Sequence, residues 1–297
     1  MIVFGTAITD EDTYERCAAP GIHLAAEPDS EILAHAAAGS LFRSYNLILD
    51  RAAAHDDLEA VALVHQDAEI VDPDFCDKIR RALRDPDVAI VGCAGAIGVH
   101  GIAWWDATVT WASFTHRYRE LGGGEFHGAT WDADRIPSYN HTGEVDSIDG
   151  FVMGLSPWAV RELRFDESLG ILHGYDFDLC MQARAAGKKV VTEDFRAIHH
   201  HSLELISDPE AWTEAYIRVA EKWDGHLHDA DPARGDLRKR LRRAEAEAAA
   251  ARGIAKTAEL QRDAMRRELA RARESASWRL TRPLRGARRM LGRMRRR

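Results

Sequence analysis

The chain has 297 residues, and its 45% hydrophobic content excludes a disordered protein and suffices for one α/β domain of about 230 residues with an appendage. The net charge of -8 divides unevenly, because Arg234–Arg297 holds 22 of the 40 basic and 7 of the 48 acidic residues, which gives +15 there and −23 in residues 1–233. An acidic body disfavours nucleic acid as a partner, and no apolar run approaches the ~18 residues of a membrane span.

The first residues and the cysteines indicate a cytoplasmic protein. Met1–Ile8 is apolar, but it has no basic start and runs into acidic residues, so it predicts a strand and not a signal peptide. The four cysteines show no CxxC spacing, which favours buried thiols in a reducing compartment. They are Cys17, Cys76, Cys93 and Cys180.

Three elements are predicted before residue 55. Within the opening strand, Met1–Ile8, Gly5 and Thr6 would let a nucleotide base approach the backbone. Alternation near Gly21–Ala26 predicts a second short strand. Ser40–Ala54 carries apolar residues on one face behind a serine cap and predicts a helix.

A short apolar run that turns abruptly polar is the first candidate site. Val61–Val64 has the length of a buried parallel strand and is followed by His65, Asp67 and Glu69. Ligands collect beyond the carboxyl ends of such strands, and Mg²⁺ or Mn²⁺ prefers carboxylate oxygens. We therefore interpret Asp67 as the anchor of a metal-diphosphate site, with Glu69 and His65 beside it.

A structural alternative for this turn is that Asp67 or Asp72 caps the helix predicted over Pro73–Arg84. The next predicted strand, Val88–Val91, runs into three glycines that do not form GxGxxG and that no predicted helix follows. We therefore reject a dinucleotide-binding site here. The three glycines are Gly92, Gly95 and Gly98.

Aromatic residues accumulate from Gly101 to Gly143, where the periodicity fails. A long segment of this kind in a compact domain is usually functional, and indole rings suit the apolar faces of sugars. Trp104 and Trp105 are therefore candidate sugar-binding residues. The alternative is that most of these rings only pack the loop onto the core.

Acidic residues mark the two elements that follow. A buried strand is predicted over Val145–Ser156, with Asp146 and Asp149 at its start, and Pro157 begins a short helix. Residues 172–187 then predict a helix that Asp176 and Asp178 open and Gly187 ends. Acids at a helix start also complement the helix dipole, so this position alone does not define a site.

Three consecutive histidines follow the strand predicted over Lys189–Thr192. Neighbouring residues on an extended chain face opposite sides, so at most two of His199, His200 and His201 can serve one ion. A solvated histidine run at a strand end is the alternative.

Six segments in this order resemble the GT-A type nucleotide-diphospho-sugar glycosyltransferases, in the family-2-like group that includes the StrF-type domain of streptomycin biosynthesis. They cover most of residues 1–205. The resemblance implies a GT-A fold, an α/β architecture with a mixed sheet flanked by helices, here with a C-terminal helical extension. The segments are SYNLIL (44–49), LVHQDAEI (63–70), AIVGCAGAIG (89–98), VDSIDGFVMGL (145–155), FDESL with HGYDFDLCMQARAAGKKV (165–190) and AIHHHS (197–202).

The resemblance implies a divalent cation, Mn²⁺ or Mg²⁺, in a donor site. HQDAE stands at the family's DXD-like motif, so Asp67 would bind the cation and Glu69 would assist. His199 matches the strand-end histidine that completes the site, with His201 as the fallback. His65 replaces the first acid of the motif, and it would contact the nucleotide together with Asp67 and Thr6.

GYDFDLC resembles the family's Glu-Asp-x-Asp-Leu-Cys pattern, so Asp176 falls on the catalytic base. Tyr175 replaces the preceding acid, and Asp178 would be a helix-capping partner. Asp149 and Gly150 fall where acceptor or donor hydroxyls would lie.

The implied reaction is an inverting, metal-dependent transfer from a nucleotide-diphospho-sugar to a hydroxyl of a glycan or glycolipid acceptor, in cell-surface polysaccharide or glycoconjugate biosynthesis. A cation neutralises the departing diphosphate and a carboxylate deprotonates the acceptor. The changes at His65 and Tyr175 motivate an alternative, a catalytically silent GT-A domain that acts as a membrane-associated scaffold. A metal hydrolase is a third hypothesis, but no HExxH spacing supports it.

The resemblance and the charge asymmetry divide the chain into a GT-A domain (1–233), a long Ala/Arg-rich helix (234–276) and a basic amphipathic tail (277–297). Apolar residues at three- and four-residue steps in 237–276 predict a coiled-coil-like stripe and a weak homo-oligomer. Trp and Leu among the arginines of the tail predict binding to an anionic membrane surface. We therefore expect peripheral association with the inner face of the plasma membrane; a solvated helix end and an RNA-binding arm are the alternatives.

Overall fold

A seven-stranded mixed sheet forms the centre of the chain in a computed structural model that describes residues 1–36, 38–117, 125–126, 142–200, 208–224 and 235–274. In chain order the strands are β1 (Ile2–Ile8), β2 (Glu31–Ala36), β3 (Ala60–Val64), β4 (Ala68–Ile70), β5 (Val88–Gly92), β6 (Ala94–Ile97), β7 (Thr108–Ala112), β8 (Phe114–Arg117), β9 (Glu125–Phe126), β10 (Gly143–Val145), β11 (Ser147–Ile148), β12 (Val152–Leu155), β13 (Lys189–Thr192) and β14 (Ala197–His199). The helices are α1 (Glu11–Arg16), α2 (Ala18–Ala25), α3 (Leu41–Ala52), α4 (Phe75–Ala82), α5 (Pro157–Glu162), α6 (Tyr175–Ala185), α7 (Pro209–Lys222) and α8 (Gly235–Glu274).

The strand order of the central sheet brings several strand ends to one edge. The order is β10-β13-β5-β12-β3-β1-β2, with β2 and β3 parallel to β1 and with β12 antiparallel between β3 and β5. β13 is parallel to β5. The carboxyl ends of β1, β3, β5 and β13 therefore meet the amino end of β12 at one edge, which is where α/β sheets hold their ligands.

Helices cover both faces of the sheet, which explains the continuous apolar runs of its inner strands. Every residue of β3 and of β5 is buried. On one face α3 packs so closely on β1 that a Cβ on Gly5 would lie 2.5 Å from Ile48. On the other face the rings of Phe4 and Phe75 have centroids 6.0 Å apart. The predicted fold class, a mixed α/β sheet flanked by helices, is confirmed.

Two smaller sheets extend this edge. One has the order β11-β6-β7 and the other β4-β14-β8-β9. β4 follows the polar turn after β3 and pairs antiparallel with β14, which places Ala68 opposite His199. Through this pairing, β14, which carries His199, lies next to the turn that follows β3.

The strand predicted over Gly21–Ala26 is wrong, because these residues lie in and just after α2 and the second strand is β2. Gly21 is buried in the helix, where a Cβ would lie 2.3 Å from the backbone nitrogen of Ile70. The glycine therefore permits close packing of α2 on β4 and does not break the helix.

The single strand predicted over Val145–Ser156 is also wrong, since the structure has three short strands, β10, β11 and β12, in two sheets. Asp146 and Asp149 occupy the two breaks, and their carboxylates accept hydrogen bonds from the backbone nitrogens of Gly98 and Phe151. In the aromatic segment, the structure adds β7, β8 and β9 where no element was predicted. The rest of that segment, 118–124 and 127–141, lies outside the described residues.

The contacts at the start of α4 show whether Asp67 or Asp72 caps this helix, which was the structural alternative to a metal-diphosphate site at Asp67. Asp72 is fully buried; one carboxylate oxygen accepts a hydrogen bond from Asp74 N, and the other lies 2.6 Å from Lys78 Nζ. Asp72 therefore holds the start of this helix, and Asp67 is not its cap. Helices α1 and α7 were not predicted from the sequence.

The chain divides into two compact units, Met1–Ile254 and Ala255–Arg297. The predicted long helix is present as α8, but its buried face in the first unit is Ala246, Ala249 and Ala250, whereas Ala248 of the predicted stripe is exposed. Within the described residues, none of the helices combines the length and apolar content needed to cross a lipid bilayer. The predicted basic tail lies outside the described residues.

Candidate functional site

The carboxyl edge of the central sheet collects most of the predicted site residues. Thr6 lies in β1, His65 and Asp67 follow β3, and Asp149 precedes β12. The backbone nitrogen of His65 donates to the carbonyl oxygen of Phe151 at 2.9 Å, which continues the β3–β12 pairing past the end of β3. Two stretches more than 80 residues apart in sequence are thus held side by side.

His65, Asp67 and His199 form one cluster, with potential ligand atoms that all lie within 4.8 Å of one another. Asp67 Oδ1 is 3.9 Å from His65 Nδ1 and 3.6 Å from His199 Nε2. A backbone hydrogen bond next to the β4–β14 pairing holds two members of the cluster together: the backbone nitrogen of His200, the residue after His199, donates to the carbonyl oxygen of Asp67 at 2.8 Å.

His199 is the most enclosed member of the cluster, with a side chain only 9% exposed. Its ring stacks on Phe151, with centroids 4.5 Å apart and planes 9° apart. Burial lowers the pKa of His199, but the Asp67 carboxylate more than offsets this effect, so the pKa is raised. A metal ion that binds this imidazole would therefore have to compete with protons for it.

The donor atoms of the cluster fit a divalent metal ion. Two imidazole nitrogens and one carboxylate oxygen lie within 4.8 Å of one another, and a set of three protein ligands leaves room for substrate oxygens. Imidazole is a poorer ligand for Mg²⁺ than for transition metals, because Mg²⁺ prefers oxygen.

The structure groups His65, and not Glu69, with Asp67 and His199. The carboxylate of Glu69 instead contacts two other residues. Its Oε2 lies 2.6 Å from His200 Nε2 and 3.5 Å from Arg117 Nη1. The predicted assisting role of Glu69 at the metal thus has no support in the cluster. The predicted fallback, His201, lies outside the described residues.

Asp176 opens α6 and reaches back to the same edge. Its Oδ2 accepts a hydrogen bond from Gly150 N at 3.1 Å, and its Oδ1 accepts one from Phe177 N at 2.8 Å. Burial and, next, the nearby charge of Asp149 raise the pKa of Asp176 to about 7, although the two backbone hydrogen bonds act in the opposite direction. A carboxylate with this pKa can accept a proton near neutral pH.

Asp149 and the two predicted sugar-binding tryptophans are packed into the protein. Asp149 Oδ2 accepts a hydrogen bond from Trp104 Nε1 at 3.1 Å, and Trp104 is buried. Trp105 packs against Trp212, with centroids 5.9 Å apart, and a Cβ on Gly253 of α8 would lie 3.3 Å from its indole nitrogen. These contacts fit the alternative in which the rings pack their loop onto the core.

Asp178, predicted as a helix-capping partner, has a different role. The residue at the start of α6 is Gly174, in the left-handed conformation, whereas Asp178 is fully buried one turn later. Asp178 accepts hydrogen bonds from Trp223 Nε1 at 2.8 Å and Gln182 Nε2 at 2.7 Å, and it lies 2.7 Å from Lys222 Nζ. It therefore anchors α6 to α7.

Gln66 is a positioning residue that the sequence did not reveal. Its Oε1 accepts hydrogen bonds from the backbone nitrogens of Thr9 and Asp10, and its Nε2 donates to Thr9 Oγ1 at 2.8 Å. This one side chain fixes the loop after β1 to the turn after β3. Its place between His65 and Asp67 was the only signal in the sequence.

Tyr175 is a second residue whose role was not foreseen. The sequence showed it only as the replacement of an acid, yet its hydroxyl lies 2.6 Å from His65 Nε2. The two residues at which this chain departs from the GT-A pattern therefore contact each other.

Thr6 lies in the carboxyl half of β1, and a nucleotide contact was predicted for it. Its side chain is buried, and its hydroxyl has no hydrogen-bond partner among the described residues. Buried hydroxyl groups usually have a partner, so a ligand at this edge would complete the bonding of Thr6.

Comparisons with known proteins agree with the resemblance seen in the sequence. The model of a glycosyltransferase-like family matches residues 3–214. The streptomycin biosynthesis protein StrF of Streptomyces griseus is 25% identical over 238 residues, which cover 78% of this chain and 77% of that protein. The predicted family is confirmed by these matches.

Solved structures with a similar fold are more distant. The mannosyltransferase PcManGT from Pyrobaculum calidifontis, in complex with GDP-Man and Mn²⁺, has a TM-score of 0.48 and 14% identity, over 94% of this chain and 81% of that chain. GalNAc-T7 with UDP, GalNAc and Mn²⁺ has a TM-score of 0.47 and 10% identity, over 75% of this chain and 48% of that chain. A197 from STIV has a TM-score of 0.42 and 12% identity, over 67% of this chain and 85% of that chain.

Proposed function

This chain belongs to the glycosyltransferase-like family, and we propose that it transfers a sugar from a nucleotide-diphospho-sugar to an acceptor hydroxyl with the help of a divalent cation bound by His65, Asp67 and His199. One observation carries the metal dependence, the close approach of two imidazoles and one carboxylate at the carboxyl edge of the sheet. A cation bound there would neutralise the negative charge of the nucleoside diphosphate that departs.

Asp176 is the proposed catalytic base. Its raised pKa keeps its carboxylate basic enough to take the proton of an acceptor hydroxyl near neutral pH. The Gly150 and Phe177 backbone N–H groups hold both carboxylate oxygens, so the position of the base is fixed before the acceptor arrives. The family resemblance favours a single displacement with inversion.

Thr6, Gln66 and Asp149 have supporting roles in the proposal. The hydroxyl of Thr6 would contact the nucleotide of the donor, because it is a buried polar group in the carboxyl half of β1. Gln66 holds the loop that follows β1 next to the metal cluster. Asp149 would act mainly through its charge, which helps to raise the pKa of Asp176.

The acceptor, partners and location are proposed from the sequence alone. The family resemblance and the tail favour a glycan or glycolipid acceptor in cell-surface polysaccharide biosynthesis. Residues 275–297 contain nine arginines and no acidic residue, which favours attachment to the cytoplasmic, anionic face of the plasma membrane. The Ala-rich stripe predicted over 237–276 favours at most a weak homo-oligomer.

A panel of thermal melts tests the donor site. UDP, GDP, dTDP and CDP are each added with Mn²⁺, with Mg²⁺ or without metal, at about 100 times the expected dissociation constant, which would stabilise the protein by about 2.7 kcal/mol. We expect one nucleotide to raise the melting temperature by several degrees with Mn²⁺ and by less with Mg²⁺, because two of the three ligands are imidazoles.

The variant Asp67→Ala removes the carboxylate of the cluster and should abolish this shift. Asp77→Ala is the control, because Asp77 is 81% exposed and belongs to a surface ion pair on α4. A metal-dependent shift that survives in Asp67→Ala would place the cation elsewhere. No shift with any nucleotide would favour a domain that has lost its donor site.

A further inference from the structure

The hydroxyl of Tyr175 lies 2.6 Å from His65 Nε2, on the side of the imidazole away from Asp67. The other ring nitrogen, Nδ1, is the one that faces the Asp67 carboxylate, at 3.9 Å. Since Nε2 is engaged by the tyrosine, Nδ1 is the nitrogen with which His65 can bind a metal ion.

This arrangement fixes which tautomer of His65 can bind a metal. A neutral imidazole carries one proton, so a free lone pair on Nδ1 requires the proton to be on Nε2. A tyrosine hydroxyl can accept a hydrogen bond as well as donate one, and here it can accept the bond from Nε2–H. Metal-binding histidines commonly donate their second N–H to such a partner, which orients the ring and raises its basicity.

The tyrosine ring is held in place from several sides. Its centroid lies 6.2 Å from that of Phe42, 5.8 Å from that of Tyr45 and 6.1 Å from that of Phe165. Gly150 leaves the space for the hydroxyl, because a Cβ there would lie 2.5 Å from the tyrosine oxygen. The hydroxyl therefore has little freedom to leave His65.

We propose that Tyr175 is a positioning residue that holds His65 in the Nε2–H tautomer, with Nδ1 directed at the cation. The inference rests on the metal cluster of the proposed function. Tyr175 also precedes Asp176 at the start of α6, so the same turn that fixes the metal ligand fixes the catalytic base. Tyr175 contacts neither the cation nor the substrate in this role.

Binding of Mn²⁺ without nucleotide tests the proposal, with free Mn²⁺ measured by electron paramagnetic resonance. In Tyr175→Phe the ring packing stays and the acceptor for Nε2–H is lost, so the dissociation constant should rise about 10- to 100-fold. The matched control is Tyr45→Phe. Tyr45 is buried in the same aromatic cluster, but its hydroxyl has no hydrogen-bond partner among the described residues, so Mn²⁺ binding should change by less than about twofold.

A second comparison separates positioning from general disturbance of the site. In a His65→Ala background the tyrosine has no imidazole to orient, so adding Tyr175→Phe should not weaken Mn²⁺ binding further. The melting temperatures of the metal-free proteins should differ little between Tyr175→Phe and Tyr45→Phe. An equal loss of affinity with and without His65 would overturn the proposal, because it would show that Tyr175 acts through the fold and not through His65.

The outcomes also separate this inference from the proposed function. If the wild type binds Mn²⁺, Asp67→Ala does not and Tyr175→Phe binds as the wild type does, only the role of Tyr175 is wrong. If the wild type does not bind Mn²⁺, or Asp67→Ala binds it normally, the metal cluster itself is wrong and the role of Tyr175 fails with it.

Discussion

At the scale of single residues, Asp176 has the property that most directly affects the reaction. Burial and then the charge of Asp149 raise its pKa to about 7, well above the ordinary value of an aspartate. A base must be ionised to accept a proton, and a raised pKa leaves this carboxyl group protonated below about pH 7. The proposed reaction should therefore lose rate as the pH falls through this value.

The first prediction is that kcat/KM, measured with saturating Mn²⁺, rises with pH and levels above about pH 7. In Asp149→Asn the rising limb of this pH–rate profile should move to lower pH, because removal of the negative charge of Asp149 makes ionisation of Asp176 easier. Asn keeps one acceptor oxygen for the hydrogen bond from Trp104 Nε1, and only the longer bond from Phe151 N, at 3.3 Å, would be lost. The melting temperature of this variant checks that the local structure persists. The measurement is a pH–rate profile of both proteins.

Two controls belong to this prediction. Saturating metal is needed because the raised pKa of His199 makes metal binding weaken as the pH falls, which would produce a limb of similar shape. Asp176→Asn should lose turnover at every pH. If the limb of Asp149→Asn coincides with that of the wild type, Asp176 is not the group that titrates.

The sequence was sufficient to single out Asp67, His199 and Asp176 as candidates, because each stands next to a strand or helix boundary in a motif that resembles the family; their roles stay predictions. It was not sufficient to choose His65 over Glu69. That choice depends on the β4–β14 register, which turns Glu69 towards His200. The contact between His65 and Tyr175 joins residues 110 positions apart, and no local pattern indicates it.

At the scale of elements, the attachment of α6 to α7 depends on one buried carboxylate. Asp178 has a side chain 1% exposed and binds Trp223, Gln182 and Lys222. Lys222 keeps its second carboxylate, Asp166, at 2.8 Å, so the main loss on removing Asp178 is the acceptor of Trp223 Nε1 and Gln182 Nε2. A buried donor that loses its acceptor typically costs about 1–3 kcal/mol. Because α6 also carries Asp176, loosening this attachment would affect the proposed catalytic base.

The second prediction is that Asp178→Ala lowers the melting temperature by roughly 2–12 °C, which follows from about 1–3 kcal/mol at about 2–4 °C per kcal/mol for a domain of this size. Asp50→Ala is the matched control, because Asp50 pairs with Arg164 at 3.1 Å but is 62% exposed. A surface pair of this kind contributes about 0–1 kcal/mol. Similar melting temperatures for the two variants, measured by calorimetry, would contradict the anchoring role.

Elements with strong local signals were predicted, and those set by tertiary packing were not. The helix α3 has a serine cap and one apolar face, and the strands β3 and β5 are continuous apolar runs. The segment Gly21–Ala26 failed because its alternating pattern is typical of a strand, whereas tertiary packing places Gly21 in a helix that closely approaches β4. The segment Val145–Ser156 failed because its two aspartates divide it between sheets.

At the scale of the whole molecule, the uneven charge suggests a division of labour. The acidic body contains the sheet edge with its proposed metal site, whereas the basic residues concentrate after residue 233. An acidic body would be repelled by an anionic membrane, and a basic segment would be attracted. In this proposal the basic tail alone holds the enzyme at the membrane surface, where the enzyme would reach an acceptor embedded in the membrane.

The third prediction concerns this segment, and its measurement is co-sedimentation with vesicles. The full chain should bind vesicles that contain phosphatidylglycerol and should not bind purely phosphatidylcholine vesicles. Deletion of residues 275–297 removes nine arginines, each of which contributes about 1 kcal/mol near an anionic surface, so partitioning should fall at least about 100-fold. The melting temperature of the shortened chain should stay close to that of the full chain, because the sheet and its helices precede the deletion.

Salt and one point variant separate charge from apolar insertion in the same assay. High salt should release most of the bound protein if the arginines dominate, since it screens exposed charges. Trp278→Ala should weaken binding at low salt and abolish what remains at high salt, because the indole would supply the apolar anchor. If the shortened chain binds anionic vesicles as well as the full chain does, the attachment lies in the first 274 residues. The exposed apolar residues Met265 and Leu269 would then be the next to substitute.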